Sequence, residues 1–528
     1  MIKWKYIRII LLSNLILTLV LLDQPIVFKV DSQLPNVDIK WTYKTNAPNF
    51  SSPAIADLTN DNKLDAVFSS KGNTFALTSN GELIWNNTAI QMQYSDASPA
   101  IIDIDNDDSL EIIVDSYNYG IYCLNCYGEV LWFHEEPLIE TPPVISDLEI
   151  DGKMEIIAAS RNQIFCLNSS GIVKWNYSIE IASSYNTQLA LGDLDNSGSV
   201  EILINLNSNE LLCLNADGTK AWTSSHYGIP VIADLDSDGT QEIILYSFSK
   251  ITCLDNSGNL FWEYLGGNDF TVLGVANLID DERKEIIMCS GTGQSVTCLN
   301  SQGQWEWSYF TDKKPTSLCI ADLNDDRELE IIVGTEYGNL FCISIHKILL
   351  WELSFSDEAW ELPYPCVMDL DADGILEIVF AHLRTVYCLG ITQVDKSGIA
   401  PWYCRGGSIF RTGTLDSDGD YIDDLSEETW LQTNKNNIDS DTDGLSDGKE
   451  FLYYHTEPTN PDTDGDGALD GEEISFGSDP LNPKDNPSTT KRLVVVKILS
   501  IMLPIVGLLL IIVIVSKIYY ETQYPKKK

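Results

Sequence analysis

The sequence predicts an all-β chain: an eight-bladed β-propeller, with seven blades as the alternative, then a calcium-loop stalk and one C-terminal transmembrane helix. Three observations carry that expectation. A Gly-x-x-x-Trp turn and an acidic loop each recur about every 45 residues through most of the chain. A shorter acidic repeat follows with a strict period of 23 residues. A terminal apolar run then ends in lysines. Composition sets the bounds. The 528 residues carry 78 Asp and Glu against 33 Lys and Arg, a formal net charge of -45, so a nucleic-acid backbone would be repelled. With 44% hydrophobic residues the chain still buries a large core, and its acidity is not a sign of disorder.

Along the chain, Lys3, Lys5 and Arg8 precede an apolar run from Ile9 to Leu22. That run is short for a membrane span and suits a secretory signal, so residues 1–30 read as a signal peptide, or as an uncleaved N-terminal anchor.

Residues 31–413 read as the propeller. The Trp marker falls in Gly81–Trp85, Gly128–Trp132, Gly171–Trp175, Gly218–Trp222, Gly258–Trp262 and Gly303–Trp307. Trp41 begins the series, and Trp351 and Trp402 continue it. Upstream of each turn stands a Cys-Leu-Asn type strand, as in Tyr122–Asn125, Phe165–Asn168 and Leu212–Asn215. The acidic loops begin at Asp57, Asp103, Asp147, Asp193, Asp234, Asn277, Asp322 and Asp369, and each ends in an acid eight residues on. Short β-branched strands divided by Gly, Asn and Asp turns, four per unit, are the content of one blade.

These motifs resemble two families of propeller repeats. The acidic loop resembles the FG-GAP repeat of integrin α-chains and microbial surface proteins. The Cys-Leu-Asn…Gly-x-x-x-Trp part is similar to the pyrroloquinoline-quinone-like repeat. Pro401-Trp402 with Phe410–Gly413 resembles a Trp-Phe-Arg-Thr-Gly signature found beside such repeats. The resemblance implies architecture, since propellers of this kind host adhesion, assembly and catalysis alike.

Seven of the twelve cysteines (Cys123, Cys166, Cys213, Cys253, Cys298, Cys342 and Cys388) occupy one strand position, where the first repeat has Ala76. Cys319 and Cys366 share another. Equivalent positions in different blades lie too far apart to bridge, so free, buried thiols are expected.

The blade loops have the form Asp-x-Asp-x-Asp-Gly-x-x-Glu, which turns alternate carboxylates toward one centre and suits a hard cation such as Ca²⁺. The fullest sets are Asp234, Asp236, Asp238 and Glu242; Asp369, Asp371, Asp373 and Glu377; Asp103, Asp105, Asp107 and Glu111; and Asp147, Glu149, Asp151 and Glu155. Asp193-Asp195-Ser197 and Asp322-Asn324-Asp326 are less complete, Asp57-Thr59-Asp61 less again, and the loop from Asn277 to Asp281 is expected to be empty. The plainer reading is a hairpin turn shaped by Asp and Gly.

Residues 414–487 read as the stalk. Three 12-residue loops place acids at positions 1, 3, 5, 9 and 12: Asp416, Asp418, Asp420, Asp424 and Glu427; Asp439, Asp441, Asp443, Asp447 and Glu450; Asp462, Asp464, Asp466, Asp470 and Glu473. This is the calcium-loop spacing, complete three times. Asp462–Gly467 and Gly477–Pro483 resemble the thrombospondin type 3 repeat, which implies a calcium-ordered spacer rather than paired helices.

Residues 493–516 form an apolar stretch long enough to span a bilayer, with Lys517 and Lys526–Lys528 placing residues 517–528 in the cytoplasm. The expectation is therefore a single-pass cell-membrane protein with its large N-terminal part outside, binding or adhering to an extracellular protein or glycan. Sequons at Asn49, Asn86, Asn168 and Asn176 agree. The rivals are an extracellular propeller enzyme (a polysaccharide lyase or a quinone-dependent dehydrogenase) and an envelope assembly scaffold. No catalytic constellation stands out: His134, His226, His346 and His382 are scattered and read as surface or turn residues.

Overall fold

In a computed structural model, the structure describes residues 35–487 apart from 47–50, 71–72, 89, 91–97, 108, 180–187, 196, 207–209, 248, 267–269, 280–282, 356–363, 395 and 405–413. The expected signal segment, the membrane span with its tail, Asn49 and the Phe410–Gly413 signature lie outside the described residues. Among the described residues no helix is long and apolar enough to cross a membrane.

Eight four-stranded antiparallel sheets form the ring, which decides between eight blades and seven. Blade 1 runs from its innermost strand outward as Ala54–Ala56, Asp65–Ser70, Asn73–Leu77 and Leu83–Asn87. Blades 2 to 7 repeat this order along the chain. Blade 8 takes Cys366–Met368, Glu377–His382 and Thr385–Thr392 from the end of the ring and its outermost strand, Asn36–Lys44, from the start. The two ends of the propeller are thereby hydrogen-bonded into one sheet.

The strand sequences explain their depth. Second strands such as Glu111–Ser116 are buried on both faces, because neighbouring blades cover them, and read as unbroken Ile-Ile-Val runs. Outer strands such as Val130–Glu135 alternate exposure along their length. The seven equivalent cysteines sit on the third strands of blades 2 to 8, buried. Each stands directly opposite the outer-strand tryptophan: Cys123 faces Trp132, Cys166 faces Trp175, and Cys388 faces Trp41. All twelve cysteines are free thiols. Cys319 and Cys366 lie on the innermost strands of blades 7 and 8.

Two expectations are corrected. Trp402 does not continue the blade series: it is buried and pairs with Ile320 on the inner edge of blade 7, and Trp41 serves blade 8 instead. His382 is not a surface residue but is buried beside Phe355 and Gly338.

Beyond blade 8, Trp402, Tyr403 and Thr414 meet the innermost strands of blades 7, 8 and 5. Val367 N donates to Tyr403 O at 2.9 Å, and Thr414 pairs with Ile232 of blade 5. The first two acidic repeats pack on the propeller, and the third is tied to the second through Gly471. Tyr403 Oη donates to Tyr421 O at 2.8 Å, Tyr453 Oη donates to Asp369 O at 2.5 Å, and Leu425 enters the core of blades 3 and 4.

Candidate metal centres

The acidic repeats are built alike. In each 12-residue loop the first Asp folds the loop by accepting backbone N–H groups: Asp416 from Gly419 (2.6 Å) and Tyr421 (2.9 Å), Asp439 from Thr442 (2.7 Å) and Gly444 (3.1 Å), Asp462 from Gly465 (3.0 Å) and Gly467 (2.9 Å). The ninth-position Asp accepts from the residue after the first, as Asp424 does from Ser417 N (2.7 Å) and Oγ (2.8 Å). A helical turn begins at the ninth position of each loop, Asp424, Asp447 or Asp470, and brings the position-12 Glu back toward the first.

Successive repeats lock together. Gly448 N donates to Asp420 Oδ2 and Gly471 N donates to Asp443 Oδ2, each at 2.7 Å. A Cβ at Gly448 would lie 1.7 Å from Asp420 O, so this position requires glycine. Sequence reading missed these two glycines, although both directly follow the ninth-position Asp.

Lys284 Nζ lies 4.0 Å from Asp424 at the edge of the first loop, but among the described residues no cation pairs with the position-12 glutamates. Glu427, Glu450 and Glu473 are fully buried. Both carboxylate oxygens of Glu473 and one each of Glu427 and Glu450 have no hydrogen-bond partner. Burial, then repulsion by Asp418, Asp420 and Asp416, pushes Glu427 up to about 11; burial pushes Glu450 up to about 8 and Glu473 to about 7. Carboxylates buried without donors are costly unless a cation meets them. Oxygens of Asp416, Asp418 and Asp420 lie within 4.8 Å of one another. A hard cation with six to eight oxygen ligands fits that donor set, and Ca²⁺ is the usual one.

The blade loops use related geometry. The first Asp accepts N–H groups from positions 5 and 6, as Asp234 does from Asp238 (3.1 Å) and Gly239 (3.0 Å). The ninth-position acid opens the second strand and accepts N–H from position 2: Glu111 from Ile104 (3.2 Å), Glu242 from Leu235 (2.9 Å), Glu377 from Leu370 (2.9 Å). This leaves its other oxygen turned to the loop. Burial pushes Glu111, Glu201 and Glu242 up to about 7. The structure gathers Asp103, Asp105 and Asp107, and likewise Asp234, Asp236 and Asp238, within 4.8 Å. It gathers Asp193, Asp195 and Glu201 equally well, though that loop is less complete in sequence. In the sixth loop, residues 280–282 lie outside the described residues, but Glu285 still accepts from Leu278 N at 2.8 Å.

In blades 3 and 8 a lysine of the outer strand reaches the loop. Lys174 Nζ lies 3.1 Å from Glu149 and 2.7 Å from Glu155. Lys40 Nζ lies 2.9 Å from Asp371 and 2.8 Å from Glu377, whose set with Asp369 falls within 4.8 Å. Burial opposes both ammonium charges, but hydrogen bonds to the paired carboxylates hold both lysines above their ordinary pKa. Neither lysine was singled out by sequence; the available signal is a Lys immediately before the blade Trp.

The fold and these loops together define an eight-bladed β-propeller bearing acidic calcium-type repeats. Family comparison agrees: residues 231–308, in blades 5 and 6, match the lambda-carrageenase β-propeller domain, and residues 439–461 and 462–483 match the bacterial TSP3 repeat. No curated protein matches the chain. Among solved structures, the Vibrio cholerae biofilm matrix protein Bap1 is similar with a TM-score of 0.51 at 13% identity, covering 70% of this chain and 92% of that one. Saccharomyces cerevisiae Sqt1 is similar with a TM-score of 0.51 at 6% identity, covering 66% and 97%. At such identities the likeness is one of fold.

Proposed function

We propose that the chain is a calcium-binding, membrane-anchored cell-surface protein whose propeller binds or adheres to an extracellular protein or glycan. The observation that carries the calcium part is the buried, unpartnered carboxylate of Glu473, repeated in part at Glu427 and Glu450. The match to bacterial TSP3 repeats supports it. Blade loops at Asp103, Asp193 and Asp234 supply further calcium positions on the propeller. The blades keep the FG-GAP-like loop as a calcium-holding turn, and residues 493–516 anchor the chain.

The test expresses the full chain on cells. Intact cells should expose the propeller to added protease and attach to a panel of immobilised glycans and matrix proteins in calcium, and attachment should fall in chelator. A propeller shielded from protease in intact cells, or attachment indifferent to the chain's presence, overturns the reading.

One observation favours a second reading. Blades 5 and 6 match a propeller domain named for a carrageenase, so activity on a sulfated galactan is the enzyme alternative. Shortening of lambda-carrageenan by the purified protein would establish it.

A further inference from the structure

Lys40 and Lys174 occupy the same place in two blades. Each immediately precedes the outer-strand tryptophan that faces a third-strand cysteine, Trp41 opposite Cys388 and Trp175 opposite Cys166. Each extends its ammonium between the position-3 and position-9 carboxylates of its own blade's loop. The remaining blades hold Ile84, Leu131, Ala221, Phe261, Glu306 and Leu350 there, none of which can supply a positive charge.

Blades 4 and 8 make the comparison direct. The oxygens at positions 1, 3 and 9 converge within 4.8 Å in both, as Asp193, Asp195 and Glu201 and as Asp369, Asp371 and Glu377. In both, the ninth-position Glu gives one oxygen to the backbone N–H of position 2, at 2.9 Å. In blade 8 its other oxygen receives Lys40. In blade 4 the residue at the lysine position is Ala221.

We infer that Lys40 and Lys174 are built-in cations, holding the cation positions of blades 8 and 3 so that these two loops take no calcium. The inference rests on the reading that the blade loops at Asp103, Asp193 and Asp234 bind calcium. A divalent ion needs six or more oxygens, and an ammonium bonded to two of those carboxylates takes both their lone pairs and the central place, so it excludes the ion. The consequence falls on ring closure. Lys40 lies on Asn36–Lys44, the strand that completes blade 8, so the clasp between the two ends of the propeller is tied without metal. Loss of calcium would then loosen the acidic repeats and the loops at Asp103, Asp193 and Asp234 while the ring stays shut.

The experiment counts bound calcium on the full-length protein in detergent micelles by equilibrium dialysis with radioactive calcium. Lys174→Ala should bind one ion more than the wild type. Lys174→Met, which keeps the packing of the stem, is measured beside it in case the smaller side chain unsettles the blade. The reciprocal change, Ala221→Lys, should bind one ion fewer. Wild-type protein that binds calcium while neither Lys174 variant gains an ion overturns this inference alone, as does an Ala221→Lys protein that keeps every ion. Wild-type protein that binds no calcium overturns the calcium reading and this inference with it.

Discussion

The indole of Trp85 lies over Gly128 of the following blade, and its Nε1 donates a 2.8 Å hydrogen bond to Cys126 O. The same tie joins Trp41 to Ser79 O (2.7 Å), Trp132 to Ser169 O (2.9 Å) and Trp175 to Ala216 O (2.8 Å). The Gly-x-x-x-Trp motif is therefore a device between blades: its glycine receives the indole of the blade before, and its tryptophan covers the glycine of the blade after. At Gly128, φ is +78° and an added Cβ would lie 2.5 Å from the Trp85 ring.

Gly128→Ala should consequently lose about 2–4 kcal/mol, from left-handed strain and the displaced indole together. Urea unfolding in the presence of calcium measures it. A loss under about 0.5 kcal/mol, the scale of a neutral surface change, would show that the indole does not hold the blades.

Gly448→Ala should separate the first two acidic repeats, because its Cβ would lie 1.7 Å from Asp420 O and displace the Gly448 N–H bond to Asp420. A loss of about 3 kcal/mol is expected. Gly465→Ala is the control: φ is +74° but nothing lies within 4 Å, so it should cost only about 1 kcal/mol of backbone strain. Equal losses in the two variants would contradict the packing account.

How much of this could be read in advance follows from what the sequence repeats. Eight acidic loops and the Trp series gave the blade count, because a repeated unit buries the same faces each time. Trp402 was misplaced because composition does not separate a tryptophan on an outer strand from one on the inner edge of the ring. The docking of the acidic repeats was not legible: Tyr453 and the carbonyl of Asp369 are 84 residues apart, and no local pattern links them. Lys40 and its partner Glu377 are 337 residues apart, joined only when the ring closes.

Tyr453→Phe removes the donor to Asp369 O and leaves that carbonyl unpaired, at a cost of about 1–2 kcal/mol. Amide exchange should quicken in Glu450–Tyr454 and in the blade 8 loop while blades 1 to 3 are unaffected. Unchanged exchange in both segments would show that the second repeat is not held there.

In chelator, stability should fall as pH rises from about 5 to about 8. Burial holds Glu111, Glu201 and Glu242 at about 7 and Glu330 at about 8, above their ordinary value. Between the ordinary and the raised values the folded chain keeps protons that the unfolded chain has released, so raising pH favours unfolding. Saturating calcium should reverse the trend, since the ion binds the ionised form. Thermal unfolding across that range, with and without calcium, checks the sign; a melting temperature that rises with pH in chelator would contradict it.

Calcium filling the gap among the buried carboxylates of the acidic repeats would register in titration calorimetry on the full-length protein. Uptake should be saturable and should fall by three ions when Glu427, Glu450 and Glu473 are all changed to Gln. No calcium heat in the wild type, or the same number of ions in the triple variant, would contradict it.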